Sequence, residues 1–170
     1  MSRFAPILAA TALAACAGET ITQRRDYGGL TVETVQAATG GVQRVEVRGA
    51  PPDGADAEAV VEALRAPARW PATRYAPTTQ PVGTRLVLEF GRGSGGRESC
   101  RGPSGSPSEA PLRVAATLCR GDRAQSTAAL VADAAGPSDP RFAPAMTRLL
   151  RAVLTPTLSR FPRRLGGAED

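Results

Sequence analysis

The chain has 170 residues, with 21 basic side chains against 16 acidic ones and a formal charge of +5. Every basic residue is arginine, and lysine, histidine and asparagine do not occur. Without imidazole or a side-chain amine, the usual proton shuttle, the commonest metal ligand and any Schiff-base nucleophile are excluded, and the length suits one domain.

At the N-terminus, Arg3 supplies one positive charge, and Phe4 to Ala15 is a run without a charged side chain, rich in Ala and Leu and closing on small residues. This is the pattern of a secretory signal, and it is too short to span a bilayer, which takes about 20 apolar residues. The run ends in Leu13-Ala14-Ala15-Cys16, which resembles the lipobox of bacterial lipoproteins: an aliphatic residue, two small residues and the cysteine that is lipidated. The resemblance covers residues 1–16. It implies cleavage before Cys16, a diacylglyceryl group on its thiol and, usually, an acyl chain on the new amino terminus. Two or three chains make a stable anchor where one, at about 0.8 kcal/mol per buried CH₂, does not. Ala17 follows instead of aspartate, which by the family's sorting rule points to the outer membrane over retention at the inner one.

The sequence then divides into a signal peptide (1–15), a lipidated cysteine with a flexible tether (16–40), a single periplasmic domain (41–160) and a C-terminal tail (161–170). In the tether, polar residues and Gly28-Gly29 surround a weakly apolar Leu30-Thr31-Val32, where a short strand over 30–35 is the one candidate element. From Val42, valines at 45 and 47 alternate with charges at 44, 46 and 48, the pattern of a half-buried strand. Asp53 and Asp56 stand where an N-cap belongs, and Ala57, Val60, Val61 and Leu64 recur at helical spacing until Pro67 and Pro71. The proline-bearing stretch 69–77 reads as a loop. Leu86, Leu88 and Phe90 mark a strand over 84–90, and Leu112, Val114, Ala116 and Leu118 mark another over 112–119. A third, 125–132, follows the turn Arg120-Gly121-Asp122-Arg123. Asp139-Pro140 offers an N-cap and a first-turn proline for a helix lined by Phe142, Met146, Leu149, Leu150 and Val153, with Pro144 either kinking it or delaying its start by a turn. The expected fold class is α+β: a small, mostly antiparallel sheet of about four strands with two helices packed on one face.

Two cysteines remain after lipidation, Cys100 and Cys119, and export favours their pairing as a structural disulfide. With no CxxC and no histidine, a redox or zinc role has little to build on. Gly91-Arg92-Gly93-Ser94-Gly95-Gly96 satisfies G-x-G-x-x-G after a strand, but turn residues follow where a helix must open, so no dinucleotide or other cofactor is expected. Ser94 lacks the glycine two places earlier that a nucleophile elbow requires. Residues 91–111 read as a long mobile hairpin loop made cationic by Arg92, Arg97 and Arg101. Trp70 and Tyr75 are either a partner-binding lip or a cap on the core. The arginines at 141, 148, 151, 160, 163 and 164 are either a solvated face and tail or a surface for lipid phosphates or anionic wall polymer.

The mature chain keeps 20 basic and 16 acidic residues, but export, few aromatics and no lysine-rich arm argue against nucleic acid as a partner. The function these features suggest is a non-enzymatic binding or accessory module, anchored to the membrane through Cys16 and meeting an envelope protein or anionic polymer. The alternatives are an envelope hydrolase working with carboxylates alone and a carrier of lipids or lipophilic ligands.

Overall fold

The alternating apolar residues of 84–90 and 112–119 build the middle of a sheet. The computed structural model describes residues 19–28, 30–68, 70–91, 95–102 and 106–156. Its elements run β1 (Thr20–Asp26), α1 (Val32–Ala38), β2 (Val42–Arg48), α2 (Ala57–Ala63), β3 (Arg74–Pro77), β4 (Thr84–Phe90), a 3₁₀ turn (Glu98–Cys100), β5 (Leu112–Arg120), β6 (Arg123–Ala132) and α3 (Phe142–Leu154). The strands form one sheet in the order β1-β6-β5-β4-β2-β3. β4, β5 and β6 make the expected antiparallel meander, and Gly121, at φ +59°, supplies the left-handed backbone that the two-residue turn between β5 and β6 needs.

The fold is α+β, but the sheet has six strands and is mixed. β2 is parallel to both β3 and β4: α2 carries the chain back across the sheet before β3 begins, and β4 runs in the same direction as β3 on the other side of β2. The flexible tether over 16–40 is corrected, since β1 pairs with β6 from Thr20 to Asp26 and α1 follows. The strand over 30–35 is also corrected: the Thr31 hydroxyl accepts the Thr34 amide at 3.2 Å and caps a helix there, a local bond that outweighs the strand preference of Thr31 and Val32. Residues 74–77, read as loop, are the edge strand β3, whose one proline, Pro77, ends the short ladder opposite Val45.

All three helices lie on one face, as expected of two. There Val45, Leu86, Leu88, Phe90, Leu112, Val114, Ala116 and Leu118 meet Ala38 of α1, Val60 and Val61 of α2, and Phe142, Met146, Leu149, Leu150 and Val153 of α3. Full burial of such side chains is worth roughly 1.5–3 kcal/mol each. α2 is capped by the Asp56 carboxylate, which accepts the Ala59 amide at 2.8 Å. α3 starts after Arg141, not after Asp139, so Pro144 is its third residue, in the first turn, where no amide has an intrahelical partner. Asp139 instead ties the preceding turn, accepting the amides of Ala135 and Arg141 and the Arg141 guanidinium, which holds its carboxyl well below the usual carboxylate range.

Candidate functional site

The other face of the sheet carries Glu46 and Arg48 from β2, Arg85, Val87 and Glu89 from β4, and Thr117 and Cys119 from β5. Alternation alone makes such a face solvated. Here Cys119 is joined to Cys100 by the expected disulfide, which pulls residues 95–102 down over it. Val87, Cys100, Cys119 and Ala124 form a small second core beneath that segment.

The charges under the segment neutralise one another. Arg85, wholly buried, donates from Nε to Glu46 Oε2 at 2.9 Å, from Nη1 to the Gly121 carbonyl at 2.7 Å and from Nη2 to the Cys100 carbonyl at 3.0 Å. Arg48 bonds the other oxygen of Glu46 at 2.8 Å, the Ser99 carbonyl at 2.7 Å and the Gly102 carbonyl. Glu89, also fully buried, accepts from the Ser99 hydroxyl and faces Arg48 at 3.6 Å. Among the described residues no buried side-chain donor or acceptor lacks a partner. The two arginines thus hold the carbonyls of residues 99, 100 and 102 in place while Glu46 and Glu89 balance their charge, so residues 95–102 are tied down where the composition suggests a mobile loop.

What this platform displays is cationic. Arg97 and Arg101 flank the 3₁₀ turn, and with Arg123 at the start of β6 they line a cleft of about 400 Å³ whose wall includes Tyr27, Asp122 and Gln125. The Arg97 guanidinium stands 5.4 Å from the Tyr27 ring centroid. Gly96, at φ +95°, lies so close to Tyr27 that a Cβ there would run into the phenol hydroxyl, and its amide donates to Thr117 Oγ1 at 3.0 Å. Among the described residues none of the three arginines has a carboxylate within ion-pair distance.

Of the residues singled out from sequence, Arg97 and Arg101 therefore meet, while Cys16 and Arg92 lie outside the described residues. Trp70 and Tyr75 are not a lip at this cleft: both are half-buried against the helix-side core. Burial pushes the Tyr75 phenol up to about 12 from its ordinary 10.0. Because the folded state disfavours the phenolate, the stability Tyr75 provides is full below pH 10 and is lost as pH rises towards 12. A phenolate absorbance titration is expected to show a late step that Tyr75→Phe removes, and an unchanged titration in that variant would refute the assignment. Of the C-terminal arginines, Arg141 is held by Asp133 and Asp139, and Arg148 faces Glu19 at 3.4 Å. Arg151 lines a cleft with Arg65 and Arg148, and Arg160, Arg163 and Arg164 lie outside the described residues.

Tyr27, Arg123 and Gln125 were not legible as site residues. The available signal was Cys119: it lies on the face of β5 away from the helices, near the end of the strand, so a disulfide to Cys100 has to bring Arg101 towards the β5–β6 turn. A larger cleft, about 590 Å³, is lined by Gly91, Ser106, Pro107, Glu109, Ala110 and Arg113, with a single acid and a single base. Among the described residues no group of three or more His, Cys, Asp or Glu is placed to hold a metal ion, and no helix is long and apolar enough to cross a membrane. No family model matches the chain, and no curated protein or solved structure does so either.

Proposed function

We propose that this chain is a lipid-anchored lipoprotein of the bacterial envelope, acting as a non-enzymatic binding or accessory module. The observation that carries the proposal is Leu13-Ala14-Ala15-Cys16 at the end of an uncharged run. The Cys100–Cys119 disulfide supports it, since such bonds persist in oxidising compartments. Ala17 in place of aspartate favours the outer membrane, with the domain on its periplasmic side.

The start of β1 at Thr20 gives the anchor a geometric consequence. Four residues beyond Cys16 reach at most about 14 Å, so a lipidated Cys16 holds the sheet against the membrane with almost no tether. Strand β1 runs for roughly 23 Å, at about 3.3 Å per residue, from its Thr20 end to Tyr27 and the cationic cleft. The anchor belongs to one end of the strand and the cleft to the other.

Neither alternative finds a comparable feature. A two-carboxylate hydrolase needs two acids facing one cleft, and among the described residues the clefts at Arg113, at Arg123 and at Arg148 each have one carboxylate on the wall. A lipophilic carrier needs room between sheet and helices, where Leu88, Phe90, Leu118, Met146 and Leu149 are fully buried against one another.

Intact mass spectrometry of the membrane-extracted protein, before and after reduction and alkylation, tests the anchor and the disulfide together. The expected spectrum is a chain beginning at an acylated Cys16, with two thiols that appear only on reduction. An unmodified chain carrying three free thiols would overturn the envelope assignment.

A further inference from the structure

We infer that the cleft between Arg97, Arg101 and Arg123 is a binding site for a phosphate-type oxyanion. The site deepens the binding-module proposal by naming its ligand class, and only the direction in which the cleft faces rests on the lipid anchor. Three guanidiniums drawn to one cleft repel one another, and Asp122 offsets only part of that charge. A bound anion removes the repulsion. Each guanidinium offers a planar fork of N–H donors, and the three come from two separate segments, Arg97 and Arg101 from the loop and Arg123 from the start of β6. A tetrahedral phosphate presents oxygens in several directions and can accept from all three, whereas a planar carboxylate offers two oxygens in one plane.

The site is also preorganised, which separates it from a chance gathering of surface charge. Arg101 directly follows Cys100, whose sulfur is bonded to β5 and whose carbonyl is held by buried Arg85. Arg97 directly follows Gly96, whose amide is fixed by Thr117. Stacking on Tyr27 orients the Arg97 guanidinium while leaving its N–H edges to a ligand. The disulfide therefore links the two segments that deliver the three charges, so little order has to be imposed when an anion arrives.

The cleft lies at the Tyr27 end of β1, opposite the Thr20 end that an anchor on Cys16 would hold. That separation favours a soluble or wall-bound polymer as the source of the phosphate over headgroups of the anchoring bilayer.

The test uses the full chain extracted from membranes into a neutral detergent. Calorimetric titration with inorganic phosphate is expected to show saturable binding, weakened at least ~10-fold by Arg97→Gln or by Arg123→Gln, as loss of a charge-assisted hydrogen bond requires. The triple variant with Arg101→Gln should lose it, while Arg65→Gln, at a different cleft, should bind like the parent protein. All four positions are exposed, so circular dichroism should be unchanged. Failure of the parent protein to bind phosphate, or equal binding by the triple variant, overturns the site. A second arm compares soluble polyglycerol phosphate with phosphatidylglycerol vesicles. Loss of polymer binding alone in the triple variant supports the outward-facing cleft, and loss of vesicle binding alone overturns that orientation. The intact mass of the same preparation reports the state of Cys16, so failure of the anchor and failure of the anion site are read separately.

Discussion

Replacing Arg85 by methionine is expected to lower the unfolding free energy by about 3–5 kcal/mol, the range for removing one partner from a buried ionic network. Methionine roughly matches the length of the arginine stem, so the loss is mainly electrostatic. Glu46 keeps Arg48 but loses its bond from Arg85, and the carbonyls of Cys100 and Gly121 lose the donor that satisfied them. Each orphaned buried group costs roughly 1–3 kcal/mol. Urea unfolding of the parent and variant chains measures the difference. A loss below about 1 kcal/mol would mean that water reaches these groups at small cost and that residues 95–102 do not seal the face. The double variant Arg85→Met with Glu46→Gln should lose less than the sum of the single losses, because the second change removes the charge that the first leaves without its partner.

The same network shows where sequence reasoning stopped. β4, β5 and β6 were legible because they are inner strands with one face on the helix-side core, which imposes a strict apolar alternation. Both strands that escaped detection, β1 and β3, lie at the edges of the sheet. Thr20–Asp26 has Ile21 as its one apolar residue, and Arg74–Pro77 ends in proline. Polar and proline-bearing edges protect a sheet against pairing with other chains, and that protection erases the periodicity by which a strand is recognised. Helix α1 was hidden for a different reason: its two turns are too short for a face to emerge, and Thr31 and Val32 favour strands in isolation. The parallel pairing was within reach, since a strand, a helix and a further extended segment in succession are the parts of a crossover unit.

The site was legible in part. Arg97 and Arg101 stood out as cationic loop residues, but period-two alternation cannot tell a solvated polar face from one that a loop covers. That difference lay in the disulfide. Cys119 alternates with Arg113, Ala115 and Thr117 on the face away from the helices, so its pairing with Cys100 already implied a lid over the charges of β2 and β4. Arg85 and Glu89 then had to be buried, Glu46 and Arg48 at least half-buried, and the four neutral in sum.

Removing that disulfide as Cys100→Ala with Cys119→Ala should destabilise the domain by about 3 kcal/mol, the chain-entropy value for a closed loop of this length. The two cysteines are 19 residues apart in sequence, and their bond restricts the unfolded chain between residues 100 and 119. The native state also contributes here. Ser99, Cys100 and Gly102 supply the carbonyls that accept from the outward ends of Arg48 and Arg85, so a segment released from β5 takes those acceptors with it. Arg85→Met releases the same segment from the other side. Combined with the cysteine changes it should therefore cost clearly less than the two separate losses, each read from denaturant midpoints with the slope checked for constancy. Full additivity would show that disulfide and ionic network act on different parts of the fold. Sub-additivity would show one closure made by two means, a covalent bond on β5 and a set of buried charges on β2 and β4. It would also tie the cationic cleft to that closure, because Arg97 and Arg101 are carried on the segment that both hold down.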